Sequence, residues 1–182
     1  MDNVYRLPEK FETQRYLVRR IRLSDAEAIF AGWATDPEVT KYLVWRPHVD
    51  ISQAHDLTKH GDQEWQNGTS FPGVISPRGT PTELIGMIHP RLNSSRVSYG
   101  WLIRRDYWGQ GVASEVLRWV VEHALSHPVI FRAEATCDVE NIASARVMEK
   151  AGMTREGLLR RYTLHPNISN EPRDSLLYAR VR

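Results

Sequence analysis

The chain has 182 residues, of which 41% are hydrophobic and 25% are charged, and its formal net charge is +2. This length fits one domain, residues 1–182, with a full hydrophobic core, and the small charge argues against nucleic acid as the main ligand. No apolar run reaches the eighteen or so residues of a membrane helix, and the N-terminal segment lacks a signal-peptide core. The one cysteine, Cys137, cannot form an internal disulfide. We therefore expect a cytoplasmic protein with no membrane partner.

The first predicted elements are a strand and two short helices. Residues 16–23 form the strand. Ser24, with Glu27 three residues later, has the pattern of a capping box, so a helix is expected to run from here to about Ala34. A second helix is expected to have Pro37 at its first position, where the missing N–H of proline costs no helical hydrogen bond.

A longer helix and two strands follow. The helical stretch over residues 50–66 is expected to end at Asn67-Gly68, because glycine readily adopts the left-handed conformation that ends many helices. Strands are predicted near residues 69–75 and 83–89, and the turn-forming segment 76–81 separates them.

In the second half of the chain, helices alternate with strands. The predicted elements are strand 96–104, helix 111–126, strand 130–137, helix 141–151, and strands 156–164 and 174–181. Residues 167–172 are expected to join the last two strands as a hairpin loop. The complete order predicts an α/β (α+β) architecture, in which one mixed sheet of seven strands is covered by helices on both faces.

Two glycines, Gly109 and Gly111, stand where strand 96–104 gives way to helix 111–126. Without side chains at these positions, the backbone N–H groups and the positive end of the helix dipole can receive phosphate oxygens. The lysine of the P-loop and the third glycine of the dinucleotide fingerprint are both missing from this segment. A tight strand-to-helix junction without a ligand is therefore the alternative interpretation.

A second motif follows about thirty residues later, with Asn141 and Ser144 at the start of a short helix and Gly152 at its end. Together with the glycine turn, this segment resembles the GNAT acetyltransferases, in particular the branch that acetylates ribosomal-protein N-termini (RimJ/RimL-type). That family has a Q/R-x-x-G-x-G/A pyrophosphate loop followed by an N-x-x-S helix that ends in K-x-G-F. The resemblance implies a single-domain GNAT fold with a mostly antiparallel seven-stranded sheet. It also implies a splay between the fourth and fifth strands, here 96–104 and 130–137.

The resemblance implies an N-acetyltransferase that moves an acetyl group from acetyl-CoA to a primary amine. The attack is expected to be direct, through a tetrahedral intermediate, and the acceptor to be a protein or peptide N-terminal α-amino group. A small-molecule amine acetyltransferase and a non-catalytic acyl-CoA-binding domain are the alternatives. No metal is expected, and a homodimer is possible. The residues that the resemblance assigns to the co-substrate are Trp101, Leu102, Ile103, Gly109, Gln110, Gly111, Val112, Ala113, Ser114 and Asn141.

For the chemical step, the resemblance suggests the backbone N–H of Leu102 as the donor to the thioester oxygen. Ser144 matches the position from which related enzymes present a hydroxyl to the coenzyme sulfur. Many GNAT enzymes instead use a tyrosine seven residues after the asparagine, but Met148 occupies that place and a thioether cannot donate a proton. Asn141 has a second interpretation, because asparagine is a good helix N-cap.

Two positions depart from the family pattern. Asp106 stands where Gln or Arg is common, so we expect its carboxylate to cap a backbone group or to face solvent, with Arg104 or Arg105 supplying positive charge. Ser98 stands where the family often has a glutamate, so an obvious base for the amine is missing. The residues that remain as candidate bases, beside a chain of water molecules, are Glu83, His89, Asp138 and Glu140.

Overall fold

The computed structural model describes residues 4–182, which form one sheet of eight strands in the order β1-β2-β3-β4-β5-β6-β8-β7. Among these residues, β5 and β6 are paired in parallel and all other neighbouring strands are antiparallel. The strands are β1 Lys10–Glu12, β2 Tyr16–Arg20, β3 Gly73–Pro77, β4 Gly86–Asn93, β5 Arg96–Ile103, β6 Arg132–Asp138, β7 Thr154–Thr163 and β8 Arg173–Val181.

Within residues 4–182, five α-helices accompany the sheet. They are α1 Ala26–Ile29, which continues as a π-helical turn over Phe30–Ala34, α2 Pro37–Thr40, α3 Ile51–Asn67, α4 Val112–Ser126 and α5 Ile142–Lys150. In the part of the chain that the structure describes, no helix is long and apolar enough to cross a membrane.

The mixed sheet was predicted correctly, but with seven strands instead of eight. The additional strand, β1, has three residues, and its alternation shows one buried side chain, Phe11. Phe11 stacks on Trp119 of α4 at a centroid distance of 3.8 Å. So short a run carries little periodicity, and its pairing with β2 is a tertiary contact that propensity does not reveal.

The boundaries of the early strands also differ from the prediction. The strand predicted near residues 69–75 is β3, which begins only at Gly73, and Ser70 makes an isolated bridge to Arg91. The strand predicted near residues 83–89 is β4, which extends to Asn93. Hairpin pairing with β5 lengthens β4, because each added residue gains a partner across the turn.

The predicted cap of the first helix is wrong, whereas the predicted start of α2 at Pro37 and the predicted end of α3 at Gly68 are confirmed. Ser24 and Glu27 do not start the first helix, because a 3₁₀ turn over Leu23–Asp25 precedes it. There the buried carboxylate of Asp25 accepts the N–H of Arg22 at 2.8 Å. Asp50 accepts the N–H of Ser52 at the start of α3, and Gly68 ends that helix with φ of 68°.

The predicted opening between the two central strands is confirmed. β5 and β6 are paired only from Arg96 to Ser98 and from Arg132 to Glu134. Both strands continue beyond this ladder, to Ile103 and Asp138 respectively. The sheet therefore divides at its centre, and the two inner edges beyond the division face each other without a shared ladder.

Candidate active site

A cleft of about 730 Å³ lies at the division of the sheet. Its walls come from the ends of β5 and β6, the first turn of α4, residues along α5, the segment 38–45 that begins within α2, and the loop that follows β7. The glycine turn lies at one end of this cleft and the segment 38–45 contributes an aromatic wall. The strand ends thus bring together motifs that are far apart in the sequence.

The glycine turn gives the cleft an uncovered helix N-terminus. Gly109 and Gly111 have φ values of 76° and 78°, in the left-handed region that favours glycine. No side chain of residues 4–182 caps α4 at Gly111, so the first N–H groups of the helix keep their donor capacity. A Cβ added at Gly109 would meet no atom within 4 Å, which shows that the backbone borders open space.

Three side chains fix this turn from outside the cleft. The carboxylate of Glu115 accepts hydrogen bonds from the hydroxyl of Thr13 at 2.7 Å and from Nε of Arg15 at 2.7 Å. The guanidinium of Arg15 also donates to the carbonyl of Gln110 at 3.0 Å. Burial alone would raise the pKa of Glu115, but the bonds from Thr13 and Arg15 outweigh it and lower the pKa. The sequence pattern did not indicate Arg15, because it lies almost a hundred residues from the turn.

The side chain of Asp106 is exposed, as expected, and its carboxylate binds Arg104. Nε of Arg104 lies 2.7 Å from Asp106, and Nη2 lies 2.7 Å from Glu83. The hydrogen bond from Arg104 holds the pKa of Asp106 below its ordinary value. Because two carboxylates surround this guanidinium, Arg104 has little charge to offer a phosphate group. Arg105 is exposed at the same turn.

The register of β4 and β5 contradicts the role predicted for Leu102. The N–H of Arg104 donates to the carbonyl of Ile85 at 2.8 Å, and hydrogen-bonded pairs alternate along an antiparallel ladder. The pair Met87–Leu102 is therefore hydrogen-bonded, and the N–H of Leu102 points to β4 and away from the division. The alternation directs the backbone groups of Trp101 and Ile103 to the open edge instead.

Ile103, the last residue of β5, also has a hydrogen-bond partner at the open edge. Its carbonyl accepts the indole N–H of Trp108 at 2.7 Å, which anchors the start of the glycine turn to the end of β5. On the other side of the division, Thr136 and Cys137 line the cleft. Burial and the charge of Asp138 raise the pKa of the Cys137 thiol to about 11, so the thiol is uncharged near neutral pH.

At the start of α5, Asn141 is a helix N-cap. Its side-chain oxygen accepts the N–H of Ser144 at 3.1 Å, so the capping interpretation is confirmed. Asn141 and Ser144 both line the cleft, with Ser144 half-buried in the first turn. Met148 is fully buried and belongs to the core.

Asp138 and Glu140, two of the predicted candidate bases, are bound to Arg173. Asp138 accepts Nε of Arg173 at 2.6 Å and the N–H of Glu140 at 2.9 Å. Burial raises the pKa of Asp138, but these hydrogen bonds outweigh it and the net shift is downward. Glu140 is exposed and lies 3.0 Å from the same guanidinium. The lowered pKa makes Asp138 a weak proton acceptor, and the carboxylate of Glu140 is occupied by Arg173.

His89 and Glu83, the other two candidate bases, also have hydrogen-bond or ion-pair partners. Nε2 of His89 lies 2.6 Å from the hydroxyl of Ser70 and 3.2 Å from Glu64, and Nδ1 lies 3.0 Å from Arg91. Burial lowers the pKa of His89, so the ring is neutral near pH 7. The guanidinium of Arg104 and the hydroxyl of Tyr107 lower the pKa of Glu83.

The structure adds His165, which the sequence did not indicate. It lies in the loop between β7 and β8, it is 5% exposed, and it lines the cleft. Nothing in the spacing of this loop relates His165 to Asp138, although Nε2 of the ring lies 3.9 Å from Oδ2 of that residue. Only the return of β8 beside β6 brings the two together.

The aromatic wall is formed by Tyr42 and Trp45, both half-buried at the cleft. Trp33 and Trp65 are instead core residues, with 1% and 3% exposure. Glu38 and Lys41 border the same wall with exposed side chains. Among residues 4–182, no group of three His, Cys, Asp or Glu side chains is arranged to hold a metal ion.

Comparison with known proteins identifies the class. A family model described as an acetyltransferase (GNAT) domain matches residues 15–154. The uncharacterized N-acetyltransferase YoaA of Bacillus subtilis is 34% identical over 174 residues, which cover 94% of this chain and 96% of that protein. The uncharacterized N-acetyltransferase p20 of Bacillus licheniformis is 31% identical over 157 residues, 85% of this chain and 87% of that protein. The chain belongs to the GNAT acetyltransferase family.

Solved structures agree with this fold. A GNAT-family acetyltransferase from Bacillus anthracis has a TM-score of 0.80 at 26% identity, over 94% of this chain and 98% of that one. RimL, a ribosomal L7/L12 α-N-protein acetyltransferase in complex with coenzyme A, has a TM-score of 0.83 at 19% identity, over 95% and 98%. The chain is thus an N-acetyltransferase, and acetyl-CoA is its co-substrate.

The residues of the cleft fit this co-substrate. The α4 N-terminus offers donors to a pyrophosphate group, and the left-handed Gly109 and Gly111 leave those donors uncovered. At the open edge of β5, the backbone groups of Trp101 and the N–H of Ile103 would face the amides of an extended pantetheine arm, whereas the Ile103 carbonyl is bound to Trp108. The side chains of Arg146 and Lys150 on α5 add positive charge to the same cleft.

Proposed function

We propose that this enzyme acetylates the α-amino group of a protein or peptide N-terminus. The observation that carries the proposal is the cleft of about 730 Å³, which includes both the glycine turn and the aromatic wall of Tyr42 and Trp45, with Glu38 at its border. A chain end can enter such an open groove as an extended segment. The fold neighbour RimL is described as an α-N-protein acetyltransferase, and RimJ of Mycobacterium smegmatis is also a neighbour, with a TM-score of 0.80.

The co-substrate supplies an activated acetyl thioester, and the chain holds it by backbone groups. The proposed pyrophosphate donors are the amides of Gly109, Gln110, Gly111, Val112, Ala113 and Ser114. The backbone groups of Trp101 and Ile103 bind the amides of the pantetheine arm in this proposal. Trp101 lies deeper along β5, so we assign its N–H, in place of that of Leu102, to the developing oxyanion.

Ser144 orients the departing sulfur in this proposal. A thiol has a pKa of about 8.5, so its thiolate leaves readily near neutral pH. The hydroxyl of Ser144 is therefore expected to contribute about tenfold, less than the ~10² to 10⁴ usual for acid–base assistance. Asn141 acts on the site through its cap, which fixes the first turn of α5 and thus the position of Ser144.

At the other end of the cleft, Glu38 offers a carboxylate to an incoming ammonium group, while Tyr42 and Trp45 exclude water from the approach. An α-amino group has a pKa of roughly 7.7–8.0 and a lysine amine about 10.4. Near pH 7 the α-amino group is thus far more often neutral and ready to attack. This difference favours N-termini over lysine side chains.

Mass spectrometry of acetylated products tests the proposal. The substrates are lysine-free peptides with a free N-terminal serine or alanine, and the same peptides with a blocked N-terminus and one internal lysine. We expect the free N-termini to gain one acetyl group faster, with Gly111→Val as the inactive control. Faster acetylation of the blocked lysine peptides would overturn the proposal.

A small-molecule amine is the second candidate acceptor. The fold neighbour MccE, a microcin C7 self immunity acetyltransferase in complex with acetyl-CoA and AMP, has a TM-score of 0.85 at 18% identity. A fold that admits AMP beside acetyl-CoA has room for acceptors other than peptides. Including nucleotide-linked and free small amines in the same screen separates the two candidates, because a peptide enzyme will leave them unmodified.

A further inference from the structure

His165 is the cleft residue whose ring lacks hydrogen-bond partners. Both of its ring nitrogens are buried, and neither makes a hydrogen bond within residues 4–182. Buried polar atoms in folded proteins are nearly always paired, so an unpaired ring that borders a substrate cleft indicates that a ligand group completes it.

The backbone and the loop hold this ring in place. The carbonyl of His165 accepts the N–H groups of Ile168 and Ser169 at 2.9 and 3.0 Å. Two residues further on, the side-chain amide of Asn167 donates to the carbonyls of Thr40 at 2.7 Å and Trp45 at 2.8 Å. The loop is thus attached to the aromatic wall at which the acceptor is expected to enter.

A buried carboxylate lies behind the ring. Oδ2 of Asp138 is 3.9 Å from Nε2 of His165, and the side chain of Asp138 is fully buried. This separation is too long for a hydrogen bond, but it places the carboxylate within ion-pair distance of the ring. Arg173 holds Asp138 in its ionised form.

The other charged and titratable groups around the His165 ring do not displace the carboxylate of Asp138 from its place beside the ring. Arg173 of β8 is occupied by Asp138 and Glu140. The ring of Tyr42 meets that of His165 edge-on at 6.4 Å. Cys137, beside Asp138 on β6, is uncharged near pH 7. Glu38 and Lys41 border the same cleft with opposite charges.

Building on the proposed function, we propose that His165 is the general base that deprotonates the acceptor amine and that Asp138 is its positioning residue. The ammonium group gives one proton to the free ring nitrogen of His165 and becomes a neutral amine. The amine nitrogen then bonds to the acetyl carbon as the carbon–sulfur bond breaks. The second proton lost by that nitrogen goes to the departing thiolate, and His165 returns its own proton to solvent.

The variant His165→Gln tests this role through its pH dependence. With a lysine-free peptide that has a free N-terminal serine, we expect kcat/KM at pH 7 to fall by about tenfold, because without a base only about a tenth of the α-amino groups are neutral at that pH. The deficit should shrink towards pH 9, because the α-amino group loses its proton there without a base. KM for acetyl-CoA should stay unchanged. His60→Gln, on an exposed histidine outside the cleft, is the matched control.

Parallel pH profiles of the wild type and His165→Gln, or equal rates at pH 7, would show that the ring has a structural role or that water takes the proton. Either result overturns the inference. If the wild type acetylates only another kind of amine, the proposed acceptor fails, and the same pH comparison with that amine still tests His165.

A second measurement needs neither activity nor a stable variant. The ¹⁵N chemical shifts of the histidine rings in the wild-type protein, without acetyl-CoA, report the charge of each imidazole. A His165 ring that is neutral at pH 7.5 and becomes cationic on acidification supports the proposal. A ring that is already cationic at pH 7.5, or that never gains a proton, could not act as this base and would overturn it.

Discussion

The two ends of the cleft are built by different means. At the α4 end, backbone donors border the open space, and the left-handed Gly109 and Gly111 leave them uncovered. At the acceptor end, side chains from distant segments meet, among them Trp45, Asp138 and His165. A backbone site depends on chain conformation and tolerates variation around it, whereas a side-chain site changes whenever one of its residues changes. Under the proposed function, the fold would thus fix the donor substrate, and individual residues would fix the acceptor.

The largest expected effect is at the backbone end. Gly111→Val should weaken coenzyme A binding by at least a hundredfold, because a side chain strains the left-handed backbone and would meet Nη2 of Arg15 at 3.3 Å, so the turn that presents the donors must shift. The left-handed conformation of a non-glycine residue costs about 1–2 kcal/mol, so the variant should still fold. Isothermal titration with coenzyme A, together with circular dichroism, measures both properties.

Gly68→Ala is the control matched for backbone strain, since Gly68 has φ of 68° but lies at the end of α3, away from the cleft. It should lose similar stability and keep its affinity for coenzyme A. A folded Gly111→Val protein with unchanged affinity would show that the co-substrate does not bind at this turn.

The same contrast explains what the sequence could predict. Gly109, Gly111 and Asn141 form local motifs, in which the spacing of a few residues determines the backbone conformation. The order of strands and helices could also be predicted from local sequence patterns, apart from the three-residue strand β1.

Leu102 and His165 show where sequence reasoning fails. The wrong role of Leu102 follows from strand register, because a shift of one residue turns an N–H group to the other edge. His165 reaches Asp138 only through the pairing of β6 with β8. Neither relation is present in the spacing of residues along the chain.

An intermediate effect is expected at Ser144, where the two ends meet. Ser144→Ala should lower kcat by about tenfold and leave the affinity for coenzyme A nearly unchanged, because the thiolate is already a fair leaving group. Stopped-flow detection of the released thiol gives kcat. A loss of several thousandfold would make this hydroxyl an essential acid, and unchanged turnover would assign the proton to water. Ser126→Ala, at the far end of α4, serves as the control.

The smallest effect concerns the support of the glycine turn. Glu115→Gln should lower the free energy of unfolding at pH 7 by about 1 kcal/mol, because the charge-assisted bonds from Thr13 and Arg15 weaken. The pKa of Glu115 is lowered in the fold, so its contribution is complete above the ordinary value of 4.5 and is lost as pH falls further. Urea unfolding at pH 7 and pH 3 should therefore show the deficit at pH 7 and little difference at pH 3.

Glu122→Gln is the control for this variant, since Glu122 lies on the same helix, is mostly exposed and is 3.9 Å from Arg180. It should change stability little at either pH. Affinity of Glu115→Gln for coenzyme A should fall only a few-fold, because the left-handed glycines remain and still present the donors. A loss as large as that of Gly111→Val would mean that the side chains of Thr13, Arg15 and Glu115 determine the turn. The α4 end would then depend on individual residues as much as the acceptor end does.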